Sequence, residues 1–161
     1  MNRIKLLQAM EKHADYSIVD LAKVLDESNE TIDEEIKQLI ADKIVLGKHT
    51  VINWDKYSNE RCLAFIEVGV TPQRDFGYDK IAARIYNYEE VTDCYLMSGT
   101  FDLIVIVEGK TMQEIARFVA TKLAPVENVK STATYFVLKT YKHYSVIFED
   151  NTNKQERVEI S

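Results

Sequence analysis

Apolar positions in the first fifty residues recur with helical spacing. Ile4, Leu7, Met10 and Ala14 fall on one helical face. A second set, Ile18, Leu21, Ala22 and Leu25, starts after Ser17, whose hydroxyl suits an N-cap. After a break at Asp26-Glu27 comes a third set: Ile32, Ile36, Leu39 and Ile40. Ser28 precedes it as an N-cap, with Thr31 standing where the acid of a capping box would be. Three short amphipathic helices with a tight turn between the second and third describe a helix-turn-helix. Each is too short to be stable alone, so their apolar faces must pack together. Ile44-Val45-Leu46, Gly47-Lys48-His49 and Thr50-Val51-Ile52 then read as a small hairpin, the wing of a winged helix. The expected winged helix-turn-helix spans residues 1–52.

Residues 53–60 are polar apart from Trp54 and Tyr57, and read as a linker. From Arg61 the order is strand, helix, strand, strand, helix, strand. Cys62, Ala64, Ile66, Val68 and Val70 share one face of the first strand, and Thr71-Pro72 ends it. Ile81, Ala82, Ile85 and Tyr88 make a helical face. Val91–Met97 and Phe101–Val107 are the next two strands. Met112, Ile115, Ala116, Val119 and Leu123 make a second helical face, stopped by Pro125, and Val129–Leu138 is the last strand. This is the ferredoxin-like βαββαβ order, over residues 61–142. The fold class is therefore α+β. Tyr144–Glu149 carries one further short strand signal inside a polar tail, residues 143–161.

The third strand is apolar on both faces, with Phe101, Leu103, Val105 and Val107 on one side and Ile104 and Ile106 on the other. A strand apolar on both faces is covered on both faces. Two helices cover one side of a four-stranded sheet, so the other side is expected to pack on a second copy.

Composition narrows the class. With 46% hydrophobic residues a core can form, and no apolar run is long enough to span a bilayer. No signal-peptide pattern opens the chain, and Cys62 and Cys94 are isolated in apolar segments, as expected of buried, reduced thiols in the cytoplasm. HExxH, Walker, dinucleotide-glycine and CxxC patterns are absent, so neither a cofactor nor a metal is expected. The net charge of −6 argues against indiscriminate polyanion binding.

Ser98-Gly99-Thr100-Phe101-Asp102 joins the two middle strands, with Gly placed as in a type II′ turn. Asp102 opens a strand otherwise made of Phe, Leu, Ile and Val. A charge there must face water, pair with a cation or bind something.

Three stretches together resemble the leucine-responsive/asparagine-regulator (Lrp/AsnC) family of feast/famine transcription regulators. They are Ser28-x-x-Thr31-Ile32-x-x-x-Ile36-x-x-Leu39, Cys94 to Asp102 with its Gly-x-(Phe/Tyr)-Asp pattern, and Thr132-x-Thr134-Tyr135-Phe136-Val137-Leu138. The resemblance runs from about Ile4 to Lys142. It implies a DNA-binding winged helix and a domain that assembles into dimers and often octamers, with small effectors, usually amino acids, bound where dimers meet. Carried over, the effector residues are Leu96, Gly99, Asp102, Met112, Tyr135, Phe136 and Val137. A carboxylate such as Asp102 suits an ammonium, backbone N–H groups near Gly99 suit a carboxylate, and Leu96 and Met112 suit an apolar side chain. The plainer alternative has Gly99 serving the turn, Asp102 facing water, and the rest as core or interface.

For DNA, the resemblance points to Ser28, Asn29, Thr31, Lys37 and Lys48, with Lys23, Lys43 and His49 as further phosphate contacts. The third helix departs from the family. It carries Glu30, Asp33, Glu34 and Glu35 against Lys37 alone, and Glu35 stands where family members commonly have arginine. Residues 1–57 hold eight Lys or Arg and eleven Asp or Glu, a balance of −3. Non-specific DNA affinity should therefore be weak, with oligomer assembly compensating. Two other readings stand beside the regulator. One is an effector-binding scaffold with little DNA binding. The other is an enzyme like the sirohaem decarboxylases, which share the two-domain pattern. Against the enzyme, the three histidines are scattered over helix, wing and tail.

Overall fold

The structure, a computed structural model, describes residues 2–58, 60–72 and 77–148. It divides into two compact units, Met1–Val51 and Ile52–Ser161.

The first unit holds α1 (Arg3–Lys12), α2 (Ile18–Leu25) and α3 (Asn29–Ala41). Each start is capped. The Asn2 side chain accepts from Ile4 and Lys5 N–H, and Ser28 Oγ accepts from Thr31 N–H at 3.1 Å. Ser17 and Asp20 form a reciprocal capping box, an S-x-x-D spacing that satisfies two otherwise orphaned N–H groups. α2 ends at Asp26 in the left-handed region (φ 55°), and the chain turns through Asp26-Glu27-Ser28 into α3.

Leu6, Leu21, Ala22, Ile32 and Leu39 are the buried core of this unit. Of the face expected for α1, Leu7 and Met10 pack on the core, but Ile4 is 67% exposed and Leu6, outside that set, is the fully buried residue. The expected wing is not formed. Residues 44–53 contain no strand, Leu46 is exposed, and none of Gly47, Lys48 and His49 takes the positive φ that a three-residue hairpin turn needs. Arms of three residues with no sheet to join form too few bonds to persist. Val45 instead packs on the helical core, its N–H donating to Leu39 O at 3.1 Å.

The second unit opens with a single 3₁₀ turn, Trp54–Lys56. It continues with β1 (Cys62–Val70), α4 (Asp79–Tyr86), β2 (Val91–Leu96), β3 (Leu103–Gly109), α5 (Met112–Phe118), β4 (Val129–Phe136), β5 (Lys142–His143) and β6 (Val146–Ile147). The sheet order is β2-β3-β1-β4, every pair antiparallel. Ala64, Ile66, Val68, Val70, Leu103, Val105 and Val107 line one face and are buried under Ile81, Ile85, Ile115, Phe118 and Leu123 of the helical layer. The other face presents Phe65, Tyr95 and Tyr135, all exposed, with Ile104 and Ile106 half-buried between them. No helix of this unit packs on that side among the described residues.

α5 runs on into a π-helical turn, Val119–Leu123. The inward residues are Ile115, Phe118 and Leu123, so the last step is five residues. A regular α-helix would turn Lys122 inward. The π turn lets Leu123 enter the core and frees Lys122 to pair with Glu90.

Residues 53–60, expected as a linker, pack with this second unit where described. The Arg61 guanidinium lies 5.4 Å from the Trp54 ring centre and pairs with Glu108. Part of the expected tail is a hairpin, β5–β6, joined through Tyr144 and Ser145, both at positive φ (43° and 65°). The remainder of that tail, from residue 149, lies outside the described residues.

Candidate functional site

The β2–β3 connection carries the sequence motif. Met97 N–H donates to Asp102 O at 2.8 Å, which closes a loop of four residues, 98–101. The type II′ expectation is corrected here: Gly99 is not at positive φ, and four-residue connections do not require it. A Cβ built on Gly99 would meet no atom within 4 Å. Nothing within one protomer therefore requires glycine at this position.

Asp102 does not simply face water. Its Oδ2 accepts the Val70 N–H at 2.8 Å, its Oδ1 accepts the Tyr78 hydroxyl at 3.3 Å, and its own N–H donates to Val68 O at 3.2 Å. It thus fastens the loop to the end of β1, where the β1–β4 register shifts between Gly69 and Val70. The neighbouring charge of Asp102, helped by burial and the hydrogen bond, pushes the Tyr78 phenol above its ordinary range. Sequence reasoning missed Tyr78, because nothing local marks a residue that meets its partner across 24 positions.

The candidate effector residues fall into two groups. Leu96, Gly99 and Asp102 lie at the end of the sheet marked by Val68 and Val70. Val137 donates to Leu63 O at the other end of β1, where Gly109 pairs with Cys62 and leads into Met112. Five to seven residues of β1 separate the groups, about 17–23 Å at the rise of a strand. Leu96 and Met112 are exposed. Tyr135 stands on the open face, its hydroxyl 3.4 Å from Glu67 Oε2. Phe136 points to the opposite side and packs against the core, as strand alternation requires.

On the first unit, the Ser28 and Thr31 hydroxyls bond each other at 2.9 Å within the cap. Asn29 is the first residue of α3. Lys37 Nζ lies 2.6 Å from Asp33 Oδ2, which holds the ammonium above its ordinary range. Glu35 pairs with Arg3 of α1, so its charge is used inside the unit. Lys48 lines a groove of about 460 Å³ with Met10, Tyr16, Leu21, Ile36 and Leu46.

Burial raises both cysteine thiols, so neither is an activated nucleophile. Among the described residues no group of three or more His, Cys, Asp or Glu is placed to hold a metal ion. No described helix is long and apolar enough to cross a membrane.

The chain is thus a helical unit followed by a ferredoxin-like unit with an open apolar sheet face. The family model for the Lrp/AsnC ligand binding domain matches residues 63–147. YugG of Bacillus subtilis, described as an uncharacterized HTH-type transcriptional regulator, is 36% identical over 146 residues, 90% of this chain and 88% of its own. The leucine-responsive regulatory protein of Haemophilus influenzae is 25% identical, covering 86% and 83%. Among solved structures, a Neisseria meningitidis transcriptional regulator in complex with L-Met aligns with a TM-score of 0.70 and 25% identity, covering 89% of this chain and 93% of that one. The chain belongs to the Lrp/AsnC family of transcriptional regulators, and its function class is regulation, not catalysis.

Proposed function

We propose that the chain is a DNA-binding transcriptional regulator whose activity is set by an amino acid held between copies. One observation carries the reading. Leu96, Gly99 and Asp102 sit at one end of the sheet and Val137 with Met112 at the other, about 17–23 Å apart along β1, too far for one amino acid to touch both groups in a single protomer. A second copy that brings its β2–β3 loop to the β4 end of the first completes the site.

The loop around Gly99, open and unobstructed, offers backbone N–H groups to the effector carboxylate. Asp102 retains lone pairs beyond its two internal bonds, which suits an ammonium. Leu96 and Met112, both exposed, supply apolar contact. The open face with Phe65, Tyr95 and Tyr135 is the surface expected to meet the second copy, giving a dimer that can build into an octamer. The L-Met complex of the Neisseria regulator supports an amino acid as the ligand class.

α2, the Asp26–Ser28 turn and α3 form the helix-turn-helix of this reading, without a strand-built wing. Asn29 and Thr31 lie at the start of the recognition helix with Ser28 as its cap. Lys37 and Lys48, with Lys23 and Lys43, are the phosphate contacts. A protein with these partners works in the cytoplasm.

The acidic surface of α3 favours a second reading, an effector-binding scaffold with little DNA affinity. A gel shift over a pool of genomic fragments at low salt, with and without an amino-acid panel, separates the two. The regulator reading expects retained fragments whose yield changes with one or more amino acids. Thermal stabilisation by an amino acid with no shift at micromolar protein would favour the scaffold.

A further inference from the structure

We propose that Asp33 sets the DNA affinity of α3 by holding Lys37 off the phosphate backbone. The inference rests on the DNA-binding reading above and deepens it.

The acids of α3 are not equivalent. Glu35 has a side chain only 19% exposed and is paired with Arg3, so it fastens α1 to α3 inside the unit. Asp33 is on the outside, one turn before Lys37, and its Oδ2 lies 2.6 Å from Lys37 Nζ. Lys37 is the single lysine of α3, and its side chain is 73% exposed.

Lysine carries a compact charge with three donors on a flexible stem, so it can leave one anion for another. An exposed i,i+4 pair is weak, and the exchange is correspondingly easy. It still carries a cost at every encounter. The phosphate must displace Asp33, and the freed carboxylate then faces a polyanion. Asp33 therefore suppresses non-specific binding. A duplex that adds base-edge contacts at the start of α3 recovers the lost affinity, and one that does not is rejected.

The test uses the full chain with a fluorescently labelled random-sequence duplex, read by anisotropy from about 20 to 200 mM salt. Four variants are compared: Asp33→Asn, Lys37→Gln, the double variant, and Glu30→Gln as a control removing the same charge from the same helix. Asp33→Asn should bind about twofold tighter per helix, the worth of an exposed pair. The slope of log affinity against log salt should steepen, by at most about one unit per helix, because Lys37 neutralises a phosphate more fully once Asp33 no longer competes for it. The slope change should vanish in the double variant and be absent in Glu30→Gln. An unchanged slope for Asp33→Asn, an equal effect of Glu30→Gln, or a gain that persists without Lys37 would overturn the proposal while leaving DNA binding intact. Failure of the unsubstituted chain and of every variant to bind at low salt overturns the DNA reading and this inference with it.

Discussion

Replacing Asp102 separates a structural clamp from a ligand group. In Asp102→Ala the Val70 N–H loses its acceptor at 2.8 Å. Val70 is only 1% exposed and sits at the register shift between β1 and β4, so water cannot readily replace the carboxylate. A buried donor left unsatisfied costs about 1–3 kcal/mol. At roughly 4–8 °C per kcal/mol for a unit of this size, a central value of about 2 kcal/mol lowers its melting temperature by about 8–16 °C. Asp102→Asn keeps an oxygen for the Val70 N–H but loses the charge that strengthens the bond, so the loss should be about half as large. Urea unfolding followed by Trp54 fluorescence measures this directly, because the chain's single tryptophan belongs to the second unit. The order of midpoints should be native, then Asp102→Asn, then Asp102→Ala. If Asp102→Ala unfolds at the native midpoint but no longer responds to any amino acid, the clamp is wrong and Asp102 is purely a ligand group.

Three further outcomes follow from the same geometry. Gly99→Ala should leave stability within about 0.5 kcal/mol of native, since the added methyl meets open space, yet weaken amino-acid binding measured by calorimetry; a large stability loss would contradict it. Ser17→Ala should cost about 1 kcal/mol, read from the first unit's urea transition by circular dichroism, because it removes the hydroxyl that accepts the Asp20 N–H and leaves only the Ser17 N–H to Asp20 half of the α2 capping box. Glu90 and Glu127 are held below the ordinary carboxylate range by hydrogen bonds from Lys122 and Arg84 respectively. The stability they contribute is present above the unfolded glutamate value of ~4.3 and is lost as pH falls through their lower folded values. The urea midpoint of the second unit should therefore drop below about pH 4, and Lys122→Gln should flatten that drop.

The sequence disclosed what local chemistry decides. Ser17 and Ser28 start helices because a hydroxyl before an apolar period has one good use. The alternation of Ala64, Ile66, Val68 and Val70 assigned the inner face of β1 correctly, and the two apolar sides of β3 pointed to the face left open. Other features depended on distant partners. The segment after α3 has a hairpin pattern, but a hairpin needs a sheet or a tight turn, and Gly47 supplies neither. The helical period leads to Leu123 through Val119 at a regular four-residue step, whereas the π turn carries the buried face from Phe118 to Leu123 in five residues. Asp102 was recognisable as an unusual charge, whereas its anchorage to Val70 and Tyr78 depends on the antiparallel order of the sheet. The same order places Gly99 and Val137 at opposite ends, a separation that a one-dimensional motif cannot express. Glu35 reads in sequence as a repulsive charge on α3, but Arg3 lies against it and takes up its charge inside the unit.

The claim that the effector site is shared between copies is tested most directly by mixing two defective chains. One carries Gly99→Trp, which fills the β2–β3 loop, and the other carries Val137→Asp at the far end of β4. Each alone should bind no amino acid by calorimetry. Unfolded together, mixed one to one and refolded, they should recover about one quarter of the native sites, because each site takes one half from each of two randomly paired protomers. Binding that stays at zero in the mixture, with hetero-oligomers present by native mass spectrometry, would place the whole site within one protomer and contradict the account.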